Sequence, residues 1–213
     1  MKNIDLLGAL APKGFAKVGS SVRQRWVNAK WDPFYSGGAS FDRLYHAHIR
    51  KCGGTSINMS AVEAITGSVE SYKELVQSRP HIIDYPKRPI VGWDRNLINR
   101  GSFIYAFSHK SLSEVEVPRG TFVFTVLRDP ADRLLSYYNM LMGLRGTPRL
   151  PKSVQREMAF LGGSFSDFLR RIPRRHLESQ LHMFDAGFSL ESALTRLRAV
   201  NYVAFLGETD DAL

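Results

Sequence analysis

Tyr45-His46-Ala47-His48-Ile49-Arg50-Lys51-Cys52-Gly53-Gly54-Thr55-Ser56 reads as a short strand, then a lysine, two glycines and two hydroxyl residues that open a helix. That order builds an anion cradle. Adjacent glycines let backbone N–H groups turn toward one point with no Cβ in the way. The following helix aims its free N–H groups and the positive end of its dipole at the same point. Thr55 and Ser56 add hydroxyl donors and Lys51 a mobile charge, so the expected ligand is a phosphate or a similar group. The lysine precedes the glycines, so the Walker order of nucleotide-triphosphate loops, with lysine after the last glycine, is absent. Taken alone, Gly-Gly-Thr-Ser also fits an ordinary strand-to-helix turn.

A second strand-loop-helix unit lies downstream. Thr121 to Leu127 (TFVFTVL) is a nearly continuous apolar, β-branched run, the pattern of a strand buried on both faces. It stops at Arg128-Asp129-Pro130, where Asp129 can cap and Pro130 can take the first helical position. In the helix, Leu134, Leu135, Tyr138, Leu141 and Met142 read as one apolar face, with Arg133 and Ser136 as neighbours on another. Arg128 falls at the strand's carboxyl end, where open α/β sheets bind ligands. This unit offers a guanidinium and a hydroxyl to a second anion; alternatively Arg128 and Arg133 simply pair with Asp129 and Asp132.

Together the two units resemble the sulfotransferase family. HIRKCGGTS is similar to its loop for the 5′-phosphosulfate. LRDPADRLLSYY is similar to its 3′-phosphate-binding strand-loop-helix, with Arg128 and Ser136 eight residues apart. The nearer likeness is to the carbohydrate O-sulfotransferases, although Arg50 stands where that branch usually has proline, which implies a less rigid loop entry. The resemblance covers residues 43–60 and 103–142, is weaker over 177–186 and 201–209, and is absent before residue 40.

What it implies is an α/β domain over residues 41–213, a three-layer P-loop-like fold with a central, mainly parallel sheet flanked by helices. It implies the co-substrate 3′-phosphoadenosine 5′-phosphosulfate, with adenosine 3′,5′-bisphosphate as product and no metal. Lys51, Cys52, Gly53, Gly54, Thr55 and Ser56 would hold the phosphosulfate, and Arg128 and Ser136 the 3′-phosphate. Lys51 would also stabilise charge on the leaving phosphate, a kind of contribution worth on the order of 10²–10³ in rate. The acceptor would be a hydroxylated glycan or glycolipid, acidic in some cases.

The acceptor hydroxyl needs a base. Ser102 to Ser108 (SFIYAFS) reads as a buried strand, and His109 follows it directly. Family members often carry a catalytic histidine between the two anion motifs, and an unperturbed histidine pKa of ~6.5 suits the role. His46 and His48 compete, one expected to point into the core and the other to pack beneath a helix; Glu63 is a lesser competitor and reads as a solvated helix residue. Cys52 reads as a small residue filling a tight turn. Its place beside Lys51 also admits a reactive thiolate.

The chain has 213 residues, 44% of them hydrophobic, which suits one domain with a packed core. It lacks an apolar run of the ~18 residues that a membrane helix needs, and Leu6 to Ala11 is too short for a signal-peptide core. With one cysteine, no internal disulfide can form. A cytoplasmic, bacterial enzyme is the simplest expectation. The net charge of +9 suits an anionic donor; it is spread along the chain without a nucleic-acid motif. Its densest cluster, Arg170 to His176, is either a grip for an acidic glycan or a solvated helix end.

Residues 1–40 read as a helical or irregular extension. Phe15, Val18, Val22 and Trp26 recur at helical spacing, which suits packing on the core or, less simply, peripheral membrane contact. Residues 67–101, with prolines at 80, 86 and 89, read as an irregular connection with a short helix near 70–78. In the family such a region often contributes to the acceptor cleft. Gly143, Gly146, Pro148 and Pro151 mark a loop expected to act as a lid, one long helix is expected over 176–184, and YVAFL (202–206) is a late strand. Relatives continue beyond that strand into a helix and loop over the nucleotide, so the expectation is either a truncated C-terminal part or a partner subunit that completes the site. The competing function classes are a nucleotide-phosphate kinase, against which the missing Walker order argues, and a non-catalytic nucleotide or polyanion binder of the same fold.

Overall fold

The computed structural model describes residues 41–207 other than 79 and 87. The stripe of Phe15, Val18, Val22 and Trp26, and the residues after 207, lie outside that range. One sheet of six strands organises the rest: β1 (Arg43–Ala47), β2 (Ile82–Ile83), β3 (Ile90–Gly92), β4 (Tyr105–Ser108), β5 (Thr121–Arg128) and β6 (Tyr202–Leu206). Their order is β2-β3-β4-β1-β5-β6. β2 runs antiparallel to β3 and every other pairing is parallel. The expected α/β class with a mainly parallel sheet flanked by helices is what forms.

Nine helices complete the described chain: α1 (Gly54–Thr66), α2 (Glu70–Gln77), α3 (Arg95–Arg100), α4 (Pro130–Gly143), α5 (Lys152–Met158), α6 (Phe165–Arg171), α7 (Arg174–Leu177), α8 (Ser179–Phe184) and α9 (Leu190–Arg198). Strand alternation sorts the core into two faces. Leu44, Tyr105, Phe107 and Phe124 pack with Ala61, Val62 and Ile65 of α1 and Leu75 of α2. Tyr45, Ala47, Ala106 and Val126 pack on the opposite face with Ile98 of α3, Met183 and Phe184 of α8 and Ala193 of α9. A third cluster, Tyr137, Leu141, Leu161, Phe168 and Ile172, lies between α4 and α6. Among the described residues no helix is long and apolar enough to cross a membrane.

Four expectations need correction. The connection over 67–101 contains two strands and a helix besides α2; β3 is three residues long, too short to announce itself by alternation, and is held by its pairing to β4. The single helix expected over 176–184 is two, broken at Glu178 (φ −99°, ψ 39°). On α4 the buried face is Arg133, Tyr137 and Leu141, whereas Leu135 is 46% exposed. Arg133 tolerates burial because its Nη2 donates to the carbonyls of His176 (2.8 Å) and Leu177 (2.7 Å) at the end of α7. His46 and His48 do not diverge. They are two residues apart, so they share one side of the strand direction, and their rings stack at 5.1 Å beneath α1.

Candidate functional site

β1 is the centre of the sheet, with β4 on one side and β5 on the other. The chain therefore reverses its winding at β1, the point where open sheets form a crevice at their carboxyl edge. The loop leaving β1 turns sharply there. The Cys52 N–H donates to Ile49 O (3.3 Å), Lys51 sits at φ 66° and Gly53 at φ 74°. A left-handed conformation costs a non-glycine residue about 1–2 kcal/mol, so Lys51 is held under local strain. α1 begins without a side-chain cap and has no acid in its first turn. The N–H groups of Gly53, Gly54, Thr55 and Ser56 donate to no protein acceptor among the described residues. Thr55 and Ser56 are exposed on that first turn. Gly54 is needed for a different reason: a Cβ there would lie 2.0 Å from His48 Cδ2 and 2.2 Å from its Nε2.

Lys51 is half-buried and its ammonium meets no carboxylate among the described residues. Burial, then the charges of Arg50 and Arg128, push its pKa down. The second unit arrives at the same edge: Arg128 Nη1 lies 3.5 Å from Lys51 O. Gln180 of α8 ties the two units together. Its Oε1 accepts the Arg128 N–H (2.9 Å) and lies 3.9 Å from Cys52 Sγ. Neither Arg128 nor Arg133 pairs with Asp129 or Asp132, and Asp129 instead caps α4 through the N–H groups of Ala131 and Asp132. Ser136 is half-buried on α4, and its hydroxyl makes no hydrogen bond among the described residues. Cys52 is 1% exposed, and burial raises its thiol to about 11 against the opposing pull of Arg133 and Arg128. It fills the turn rather than offering a thiolate, and its N–H is already engaged.

Arg50, in place of proline, is tethered. It pairs with Glu157 of α5, and its guanidinium sits 5.0 Å from the centroid of the Tyr137 ring. The histidines below the loop are locked by Asn58 of α1. Asn58 Oδ1 accepts from Tyr105 O–H (2.7 Å) and from His46 Nδ1–H (2.7 Å), and its Nδ2 donates to His48 Nδ1 (3.2 Å). That leaves the His48 proton on Nε2, against Gly54. Burial keeps both rings neutral, His46 at about 4 and His48 at about 2, the latter also repelled by His109, His46 and Arg50.

His109 directly follows β4 and contacts the His48 ring at 4.4 Å. It lines a cavity of about 350 Å³ with His48, Arg50, Trp93, Lys110 and Arg175, among others. Burial first, then the charges of Arg50, His46 and His176, hold its pKa down at about 3. The cavity gathers four histidines, but among the described residues no three His, Cys, Asp or Glu side chains are placed to hold a metal ion.

The basic cluster divides. Arg170 pairs with Asp167 and Arg174 with Glu178, and Arg171 donates to Leu161 O, while Arg175 turns to the cavity. Glu63 is exposed on α1, and the segment 143–151 is held by Arg145 donating to Gly162 O (2.8 Å) and by Gln155 Nε2 donating to Leu150 O (2.6 Å). Gln180, Asn58 and Trp93 escaped the sequence reading. Only Trp93 carried a usable signal, as the residue before the helix-capping Asp94. Comparison of the chain with family models, curated proteins and solved structures finds no match.

Proposed function

We propose that the protein transfers a sulfuryl group from 3′-phosphoadenosine 5′-phosphosulfate to an acceptor hydroxyl, on a domain of the P-loop-like kind. The observation that carries this reading is the meeting of the two basic units at one sheet edge, with Arg128 Nη1 3.5 Å from the backbone of Lys51. A ligand charged at both ends is the chemistry that would use both. The N–H groups at the start of α1 and the Lys51 ammonium, without partners among the described residues, fit the phosphosulfate end. Arg128, with Ser136 on the helix it precedes, fits the 3′-phosphate. The reversal of winding at β1 supports the P-loop-like assignment.

The acceptor oxygen attacks sulfur as the bond from sulfur to the bridging phosphate oxygen breaks. The acceptor proton passes to the imidazole of His109, and Lys51 neutralises the charge left on the phosphate. His46 and His48 position rather than react, since both are committed to Asn58. Held at about 3 in the free protein, His109 is neutral but weakly basic. An anionic donor in the adjoining cradle opposes the Arg50 charge and raises that basicity.

The second reading is a non-catalytic binder of the same nucleotide, which the depressed basicity of His109 favours. Titration calorimetry with adenosine 3′,5′-bisphosphate, followed by transfer assays on a glycan panel, separates the two. Binding with turnover supports transfer, binding without turnover supports the second reading, and no binding removes both.

A further inference from the structure

Trp93 has a conformation that a bulky residue rarely adopts. It stands at φ 59° at the carboxyl end of β3, its N–H donating to Phe107 O (2.9 Å), with Asp94 capping α3 immediately after it. Strain of this kind persists where the surroundings dictate it. The surroundings here hold the indole in T-shaped contacts with His81 and Phe107, each at 4.8 Å. The ring stays half-buried in the cavity wall, 6.3 Å from His109.

Sheet order fixes where this lies. Trp93 follows β3, His109 follows β4, the anion loop follows β1 and Arg128 follows β5. Strands lie about 4.8 Å apart, so Trp93 stands roughly 10 Å from the anion loop, on the side away from Arg128. A donor held between β1 and β5 leaves the β3–β4 side for the acceptor.

The cavity wall carries an excess of positive charge. Lys110 and Arg175 are exposed and form no ion pair among the described residues, unlike Arg50, which is matched by Glu157. Among the described residues Glu114 is the one carboxylate in the wall, and its Oε2 accepts the Ser111 N–H (3.3 Å). An aromatic side chain that lines one cavity with two cations unmatched among the described residues suits a sugar ring bearing an acid group.

We propose that this cavity is the acceptor site for an acidic saccharide, with one sugar ring stacked on Trp93 and its carboxylate or sulfate held by Lys110 and Arg175. The proposal rests on the sulfuryl-transfer reading for its name as an acceptor site. The binding it asserts is measured separately.

The probes are a glucuronic acid–N-acetylglucosamine disaccharide and its carboxyl-reduced counterpart, titrated calorimetrically with and without adenosine 3′,5′-bisphosphate. The wild type binds the acidic form more tightly by about tenfold. Lys110→Ala with Arg175→Ala abolishes that preference while the reduced sugar still binds. Trp93→Ala weakens both sugars by about tenfold and Trp93→Phe restores most of the loss. Nucleotide affinity stays within about twofold in all variants, because their sites lie across β1 from Arg128. No binding of either sugar by the wild type, equal affinity for the two, or wild-type affinity in Trp93→Ala overturns the proposal. Should Trp93→Ala not fold, the charge variant decides. A wild type that binds the acidic sugar but no nucleotide sinks the sulfuryl-transfer reading and leaves the saccharide site standing.

Discussion

Lys51 couples backbone strain to chemistry, and the two can be pulled apart. At φ 66° its Cβ is crowded, and a left-handed conformation costs a non-glycine residue about 1–2 kcal/mol. Lys51→Gly removes that cost but gives the unfolded chain more freedom, worth about 0.5–1 kcal/mol in the other direction. The net is a gain of between about 0 and 1.5 kcal/mol. Loss of the ammonium adds to the gain, because Arg50 and Arg128 repel it in the folded state. For a chain of this size 1 kcal/mol moves Tm by about 2–4 °C. Lys51→Ala keeps the Cβ and so keeps the strain. Thermal melts should therefore place Lys51→Gly above Lys51→Ala, with wild type no higher than Lys51→Gly. In both variants sulfuryl transfer should fall by about 10²–10³. A glycine variant that melts below the alanine variant would refute the strain argument. An alanine variant with wild-type turnover would refute the role of the ammonium.

Gly54→Ala should lower stability by about 1–3 kcal/mol, because the new Cβ meets a His48 ring pinned by Asn58 and His109. Combined with His48→Ser in urea titrations, the pair should show coupling of more than about 1 kcal/mol; additive losses would mean that the clash is relieved elsewhere. Stability should also fall in acid. His46 and His48 are neutral in the fold down to about 4 and about 2, while the unfolded chain protonates them near ~6.5. Between those values the unfolded state binds more protons, so the stability contributed above pH ~6.5 is lost as pH falls, by up to about 1.4 kcal/mol per ring per pH unit. Urea midpoints that stay level from pH 6.5 to pH 5, before carboxylates begin to protonate, would contradict the burial of these rings.

Both strand-loop-helix units were legible because each is local. A β-branched run, a turn residue and a capping or glycine signal fall within a dozen positions, and α1, β5 and α4 form where those signals stand. β3 was not legible. Ile90-Val91-Gly92 follows three prolines, and only its pairing with Ile82 and Ile83 on one side and Tyr105 to Phe107 on the other makes it a strand. Arg133 misled because helical periodicity counts a charge as outward, whereas two carbonyls from a helix more than forty residues away satisfy it in the core. The His46–His48 pair could have been read correctly, since residues two apart on an extended segment share a side. Tertiary pairings such as Arg50 with Glu157, 107 residues apart, and Gln180 bridging the two loops leave no local trace. The strain at Lys51 and Trp93 likewise follows from how neighbouring strands end, not from the residues themselves.

The claim on which the rest depends is that one ligand spans Lys51 and Arg128. Calorimetric titration of wild type and Arg128→Ala with adenosine 3′,5′-bisphosphate and with adenosine 5′-monophosphate tests it. Wild type should prefer the bisphosphate, and Arg128→Ala should lose about tenfold or more of that preference while holding the monophosphate as before. A preference for the bisphosphate that survives intact in Arg128→Ala, or is missing from wild type, would contradict the account.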